Sequence, residues 1–284
     1  SDNPLIVHIS QVDEIYALVQ DFTEDAQKLA EAFWPGPLTI ILKKSDAISK
    51  IVSGGLDSVA LRLPEHPVAR KIINETGLPL VAPSANTSGR PSPTSAAHVI
   101  ADLGGKIDAV VDAGRCKFGV ESTVISLCEA VPKILRPGAV TLEQIRCILG
   151  NAEIDNAVLN PLSKGVRPIS PGTKYKHYAP KADVTILKGT RGAYIDYINN
   201  NCSGKNIVAL CYDEDIPYLK VSAISYGKEA DSTLQAEKLF DSLRAIDKIE
   251  GVDTVYARCP AQSGIGLAVY NRLLRAAGFH IIEI

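Results

Sequence analysis

The 284-residue sequence contains no methionine, starts at Ser1 and has no long apolar run. A membrane-spanning helix needs ~18 or more consecutive apolar residues, and no stretch approaches that length. No charged and apolar signal segment opens the sequence either. We therefore expect a cytoplasmic protein without a membrane segment.

An excess of charge of one sign is also absent. The formal net charge is -2, from 30 basic and 32 acidic side chains. This balance gives no overall electrostatic attraction to nucleic acid. A local basic patch is compatible with it, and its best candidates lie between Arg167 and Lys181. Direct binding of RNA is therefore left open.

Cysteine pairs at metal-ligand spacing are missing as well. The six cysteines include no Cys-x-x-Cys pair, and no histidine stands beside them at the spacing of a zinc site. This scatter is typical of reduced thiols that fill small apolar spaces in a cytosolic protein. We expect no zinc site.

The length and the hydrophobic pattern predict two α/β domains. Residues 1–150 mix helical and strand patterns, and 151–182 lose periodicity and read as a linker. Within the first domain an apolar run predicts a strand over 108–112. In residues 183–284 strands alternate with helices, which is typical of a parallel sheet with helices on its faces.

Helix ends are marked by capping residues. Thr23 is predicted to cap one helix, and Thr141 with Gln144 predicts a capping box for another. Ser232 and Gln235 have the same spacing and predict a third cap. These signals are local and fix where the helices begin.

The most polar strand end follows the apolar run 78–82. Residues 83–94 contain five hydroxyl side chains, an amide and a guanidinium. Open α/β sheets bind their ligands at strand ends, which suits a site for an oxygen-rich group. Serine, proline and glycine also dominate ordinary turns, so a plain loop is the alternative.

Two further segments combine a strand with polar groups. Residues 119–127 place a carboxylate and two hydroxyls at the start of an apolar strand, and 134–138 place Arg136 at the end of another. An arginine fork suits phosphate. The three segments together predict one site for an anionic, hydroxyl-bearing ligand.

Six short segments stand in a fixed order along the chain, namely NPLIVH (3–8), FWPGPLT (33–39), VALRLP (59–64), PSAN (83–86), GVEST (119–123) and LRPG (135–138). SPGTKYKHYAP follows at 170–180. The series resembles YrdC-domain proteins, and the last segment resembles the linker of the longer, two-domain members. Those members are threonylcarbamoyl-AMP synthases.

The resemblance implies a twisted mixed-sheet α/β domain in 1–150, followed by a smaller Rossmann-like α/β/α domain in 183–284. It also implies a nucleotidyltransferase that joins L-threonine, bicarbonate and ATP into L-threonylcarbamoyladenylate and releases pyrophosphate. The product would serve the machinery that transfers threonylcarbamoyl to the tRNA adenosine next to the anticodon. Family members carry a strand and a Lys-x-Arg element before the first segment, so we expect that an N-terminal stretch is missing here.

Individual roles follow from the resemblance alone. The residues it implies for threonine are His8, Arg62, Ser84 and Ser122. The residues it implies for ATP are Asn3, Ser58, Asn86, Thr94, Arg136 and Tyr178. Tyr178, in the linker, would close over the nucleotide as a lid. Mg²⁺ is expected to arrive with ATP, with no assigned side-chain ligands. No covalent nucleophile and no Ser/His/Asp set is expected.

Two other functions remain as alternatives. A non-catalytic RNA-binding module would fit the downstream RNA target, although the mildly acidic net charge argues against it. A carbamoyltransferase that uses carbamoyl phosphate would use a similar domain, although the acylphosphatase and zinc-finger segments of such proteins are absent from this sequence. Pyrophosphate release would separate both from the adenylate-forming enzyme.

Overall fold

The computed structural model describes residues 4–161, 177–201 and 206–284. It forms two compact units. The first comprises Ser1–Pro83 and Glu121–Lys174, and the second comprises Ser84–Val120 and Tyr175–Ile284. The chain thus leaves the first unit after Pro83 and returns to it at Glu121. The predicted domain boundaries at 150 and 183 stay predictions.

The longer elements of both units follow each other along the chain. The helices are α1 Ile15–Leu18, α2 Glu24–Phe33, α3 Pro67–Thr76, α4 Ala96–Leu103, α5 Leu142–Leu149, α6 Arg191–Asn201, α7 Ser232–Ile246 and α8 Gly266–Ala276. The strands are β1 Ile6–His8, β2 Leu38–Lys43, β3 Ser58–Arg62, β4 Leu80–Val81, β5 Thr123–Ser126, β6 Lys133–Arg136, β7 Glu153–Ile154, β8 Asp183–Lys188, β9 Ile207–Cys211, β10 Ala223–Ser225, β11 Thr254–Arg258 and β12 Ile281–Glu283.

The first unit is built on a seven-stranded mixed sheet in the order β4-β1-β3-β2-β5-β6-β7. Strands β1 and β3, β2 and β5, and β6 and β7 pair in parallel, and the other neighbours are antiparallel. The carboxyl ends of β1, β3 and β6 therefore lie at the same edge as the amino ends of β2 and β5. This edge collects residues from five adjacent strands.

Helices α2 and α5 supply the apolar core beside this sheet. Leu29 of α2 and Ile145 of α5 are fully buried, as are the strand residues Ile40, Leu61 and Ile125. Each such side chain contributes about 1.5–3 kcal/mol through burial. The sheet edge is therefore held on a rigid base.

The second unit contains a five-stranded sheet in the order β10-β9-β11-β8-β12, and all its neighbouring strands are parallel. The residues of β9 are buried throughout, because helices cover both faces of a parallel sheet. The expected Rossmann-like arrangement is thus confirmed. The first unit's mixed sheet confirms the other half of the predicted fold.

Most predicted helix caps are present. The hydroxyl of Thr23 accepts from the Ala26 amide at 3.3 Å, and Thr141 and Gln144 form the capping box. The prediction for Ser232 is wrong, because α7 begins at that residue. Asp231 caps the helix, and its carboxylate accepts from the Leu234 amide at 2.9 Å.

The predicted strand over 108–112 is also wrong. Residues 108–112 have no strand assignment and are exposed. A short apolar run forms a strand only where a neighbouring strand pairs with it. Here the chain turns instead, and the carboxylate of Asp112 accepts from the Gly114 amide at 2.9 Å.

Candidate active site

The candidate site of the first unit begins where β1 and β3 end. The two strands are parallel, and His8 stands opposite Arg62 in their register. Nε of Arg62 donates to the Gly36 carbonyl at 3.1 Å, which orients the guanidinium at the sheet edge. A guanidinium held in this way can form a two-pronged pair with a carboxylate.

His8 is neutral at pH 7. Burial, followed by the nearby positive charge of Arg62, lowers its pKa from 6.5 to about 4. Its Nδ1 is buried and finds no hydrogen-bond partner within the residues that the structure describes. A buried polar atom of this kind is costly unless a ligand satisfies it. Hydrogen bonding to the Ile6 and Leu80 backbone offsets part of the lowering of the His8 pKa.

Three buried polar side chains continue the same edge along β2, β5 and β6. The hydroxyls of Thr39 and Ser122 lie 2.8 Å apart. Arg136 donates from Nε to the Ser122 carbonyl at 3.0 Å and from Nη2 to the Ser122 hydroxyl at 3.1 Å. The Ser122 hydroxyl is thus fixed from two sides. Thr39 is not among the site residues predicted from the sequence, although it belongs to the FWPGPLT segment.

Close packing around Gly138 explains why the LRPG segment ends in glycine. A Cβ at this position would lie 2.8 Å from the Glu121 carbonyl oxygen and would also collide with the Thr123 amide. Only glycine allows the two chain segments to approach so closely. The turn after Arg136 can therefore pack directly against the turn that carries Ser122.

Three further predicted residues belong to the second unit. The amide of Asn86 donates to the carbonyls of Thr87 at 2.9 Å and Arg90 at 3.2 Å, and its buried Oδ1 has no partner within the described part of the chain. Thr94 is buried, and its hydroxyl donates to Asp241 at 2.5 Å. Ser84 is exposed. The side-chain N–H groups of Asn86 thus close the loop, and its Oδ1 is left as a possible acceptor.

Tyr178 also belongs to the second unit and is buried. Its φ is 64°, and its ring centroid lies 5.1 Å from that of Phe240 and 5.9 Å from the Arg272 guanidinium. The next amide, of Ala179, donates to the Gly89 carbonyl at 3.1 Å. The Tyr178 segment therefore adjoins the loop that carries Asn86. Closure of the linker as a lid stays a prediction, since 162–176 lie outside the described residues.

The structure places the predicted site residues in two different units. The first unit brings four of them to its polar edge, namely His8, Arg62, Ser122 and Arg136. Ser58 starts β3, four residues before Arg62, so it lies about 13 Å away at the opposite edge of the sheet. Asn3 lies outside the described residues. The roles assigned to all of them stay predictions.

The described ranges contain no group of three or more His, Cys, Asp or Glu side chains that could hold a metal ion. The five cysteines described there are free thiols, and burial raises the pKa of Cys211 to about 12. Among the helices in these ranges, none is long and apolar enough to cross a membrane.

The fold and the polar edge define a class: a two-domain α/β protein with charged and hydroxyl side chains at one edge of a mixed sheet. A family model described as "Telomere recombination" matches residues 1–138, and one described as "Threonylcarbamoyl-AMP synthase, C-terminal domain" matches residues 140–278. The chain belongs to the threonylcarbamoyl-AMP synthase family. The resemblance noted in the sequence is confirmed.

Full-length relatives agree with this assignment. The threonylcarbamoyl-AMP synthase of Pyrococcus abyssi is 41% identical, over 100% of this chain and 83% of the relative. The Bacillus subtilis enzyme of the same name is 42% identical, over 100% and 82%. The crystal structure of P. abyssi Sua5 complexed with L-threonine has a TM-score of 0.91 at 40% identity and covers 100% of this chain and 82% of that one.

Proposed function

We propose that this protein is a nucleotidyltransferase that makes L-threonylcarbamoyladenylate from L-threonine, bicarbonate and ATP and releases pyrophosphate. The observation that carries the proposal is the pair of Arg62 and His8 at the polar edge of the first sheet. Similarity to threonylcarbamoyl-AMP synthases over the whole chain supports it. So does the solved relative that was crystallised with L-threonine.

The polar edge suits threonine because it offers a partner for each of the three polar groups of that amino acid. The Arg62 guanidinium pairs with the carboxylate in a charge-assisted contact. The Ser122 hydroxyl, fixed by Thr39 and Arg136, faces the amine or the hydroxyl group. Nδ1 of His8 takes the remaining hydrogen bond, since a hydroxyl can donate to it or accept from it.

The neutral state of His8 matters for the first chemical step. The threonine amine has to lose its proton to solvent before it attacks carbon dioxide, or bicarbonate with loss of water, to form the carbamate. A protonated imidazole next to Arg62 would add a second positive charge and hinder binding of an ammonium group. With a pKa of about 4, His8 carries no charge at pH 7 and positions the substrate without acting as its base.

The second step needs ATP. An oxygen of the carbamate attacks the α-phosphorus in line, and pyrophosphate leaves. Positioning and charge stabilisation dominate such transfers, so no covalent nucleophile is needed. We assign the Asn86 loop to the nucleotide, with Mg²⁺ carried by the ATP phosphates. Tyr178, whose segment adjoins this loop, would cover the nucleotide and exclude water from it.

The proposed product is an activated threonylcarbamoyl group, which a tRNA-modifying transferase would consume in the cytoplasm. The experiment that tests the proposal is pyrophosphate release from the purified protein with each substrate omitted in turn, together with mass detection of the adenylate. Release that requires threonine, bicarbonate and ATP together is the expected result. Turnover of carbamoyl phosphate, or salt-sensitive tRNA binding without release, would refute it.

A further inference from the structure

We infer that helix α7 positions the proposed ATP-binding loop through Asp241 and Arg244 on one of its faces and through Asp247, the residue that follows its last turn. The inference rests on the proposed function, because it takes Asn86 as a nucleotide ligand. All the contacts involved lie within the second unit. They give helix α7 a role in catalysis through the loop that it holds.

The first contact is a buried ion pair between α7 and α4. Arg244 donates to Asp102 through Nη1 at 3.1 Å and Nη2 at 2.8 Å, and Nη2 also reaches the Pro91 carbonyl at 2.5 Å. The Asp102 side chain is fully buried, and the Arg244 side chain is 9% exposed. Because the pair is bidentate and shielded from water, it has the geometry that fixes orientation as well as charge.

Asp102 connects this ion pair to the loop that carries Asn86. Its carboxylate accepts from the Thr87 amide at 3.3 Å, directly after Asn86, and from Arg90 at 3.4 Å. Arg90 also donates to Asp247, the C-cap residue of α7, at 3.2 Å. The carbonyls of Thr87 and Arg90 are the acceptors of the Asn86 amide. The chain after Asn86 is therefore linked to α7, at Thr87 through Asp102 and Arg244, and at Arg90 through Asp102 and Asp247.

Asp241 fixes the far end of the same loop. It accepts from the hydroxyl of Thr94 at 2.5 Å, and it pairs with Arg115. Thr94 is 3% exposed. Between Asn86 and Thr94 the loop has no helix or strand of its own. The contacts with α7 therefore take the place of regular secondary structure in holding it.

This arrangement predicts a selective effect on ATP. If the loop leaves its binding conformation, apparent affinity falls in proportion to the fraction of molecules that keep it. A loop that is correctly placed in about a tenth of the molecules would raise the KM for ATP about tenfold. The KM for threonine should stay unchanged, because the Arg62 and Ser122 contacts lie in the other unit.

The test measures pyrophosphate release by the full chain with Arg244→Gln, which is too short to reach both Asp102 and Pro91. Because this change leaves a buried carboxylate unpaired, the double variant Asp102→Asn/Arg244→Gln provides a neutral version that folds more readily. Both should raise the KM for ATP about tenfold and leave that for threonine unchanged. Arg244→Lys, which keeps the charge but not the fork, should restore part of the loss.

The matched control is Arg258→Gln. Arg258 is equally buried in the same unit and pairs with Asp215 at 2.8 Å and Glu229 at 2.6 Å. It should lose stability without any change in the KM for ATP. Equal KM rises for ATP and threonine in the Arg244 variants, or a KM for ATP in the folded double variant like that of the unsubstituted protein, would overturn the inference. Failure of the unsubstituted protein to release pyrophosphate would instead refute the proposed function.

Discussion

Replacing Arg62 by alanine should weaken the use of threonine far more than the use of ATP. The guanidinium stands at the end of β3, half-buried, and its Nε donates to the Gly36 carbonyl at 3.1 Å. Loss of that bond costs about 0.5–1.5 kcal/mol, which a folded domain survives. Loss of a charge-assisted pair with the substrate carboxylate costs about 1.5–3 kcal/mol.

The loss of the substrate pair corresponds to about a ten- to hundredfold rise in the KM for threonine. The assay is the initial rate of pyrophosphate release, with threonine varied at saturating ATP and then ATP varied at saturating threonine. Arg146→Ala is the matched control, because Arg146 lies in helix α5 of the same unit and its Nε likewise donates to a backbone carbonyl, that of Ala152 at 2.9 Å. An equal rise in both KM values after loss of Arg62 would contradict its assignment to the carboxylate.

Three further predictions concern the same edge. The folded pKa of His8, about 4, lies below its ordinary 6.5, so the unfolded chain binds more protons between these values. The contribution of His8 to the free energy of unfolding should be fully present above pH 6.5 and fall by up to about 3 kcal/mol towards pH 4. Urea unfolding of His8→Gln should show a shallower fall over this range. Identical slopes for the two proteins would refute the pKa shift. Thr39→Val removes the hydroxyl partner of Ser122 and should cost about 1–3 kcal/mol in urea unfolding, with Thr39→Ser, which keeps the hydroxyl, as its control. Gly138→Ala should destabilise the fold by several degrees in Tm, because its Cβ meets the backbone near Thr123, whereas Gly192→Ala, with open space around it, should not.

Local signals in the sequence predicted the parts of the fold that depend on neighbours along the chain. Thr23 and Thr141 cap their helices because the hydroxyl and the amide it accepts from are three residues apart. The alternation of strands and helices after Asp183 is also visible in neighbouring residues, and it predicted a parallel sheet. The predicted strand over 108–112 was wrong, because a strand needs a partner strand to pair with, and that partner lies elsewhere in the chain.

The site was predictable only in part. Arg62 and Ser122 adjoin apolar runs in short segments, so their place at strand ends could be inferred. Thr39 contacts Ser122, which is 83 positions away in the sequence, and no local pattern predicts that contact. Arg244 reaches Asp102 across 142 positions. Contacts of this range depend on how strands and helices pack, which periodicity does not encode.

The path of the chain between Pro83 and Glu121 has a consequence for the order of folding. The segment 84–120 is synthesised early, yet its partners Asp241, Arg244 and Asp247 emerge from the ribosome more than 120 residues later. Until then Asp102 has no arginine from α7 to bury against. The second unit therefore cannot mature before α7 has left the ribosome, and a nascent chain that stalls before this helix would keep the segment open to proteases and chaperones.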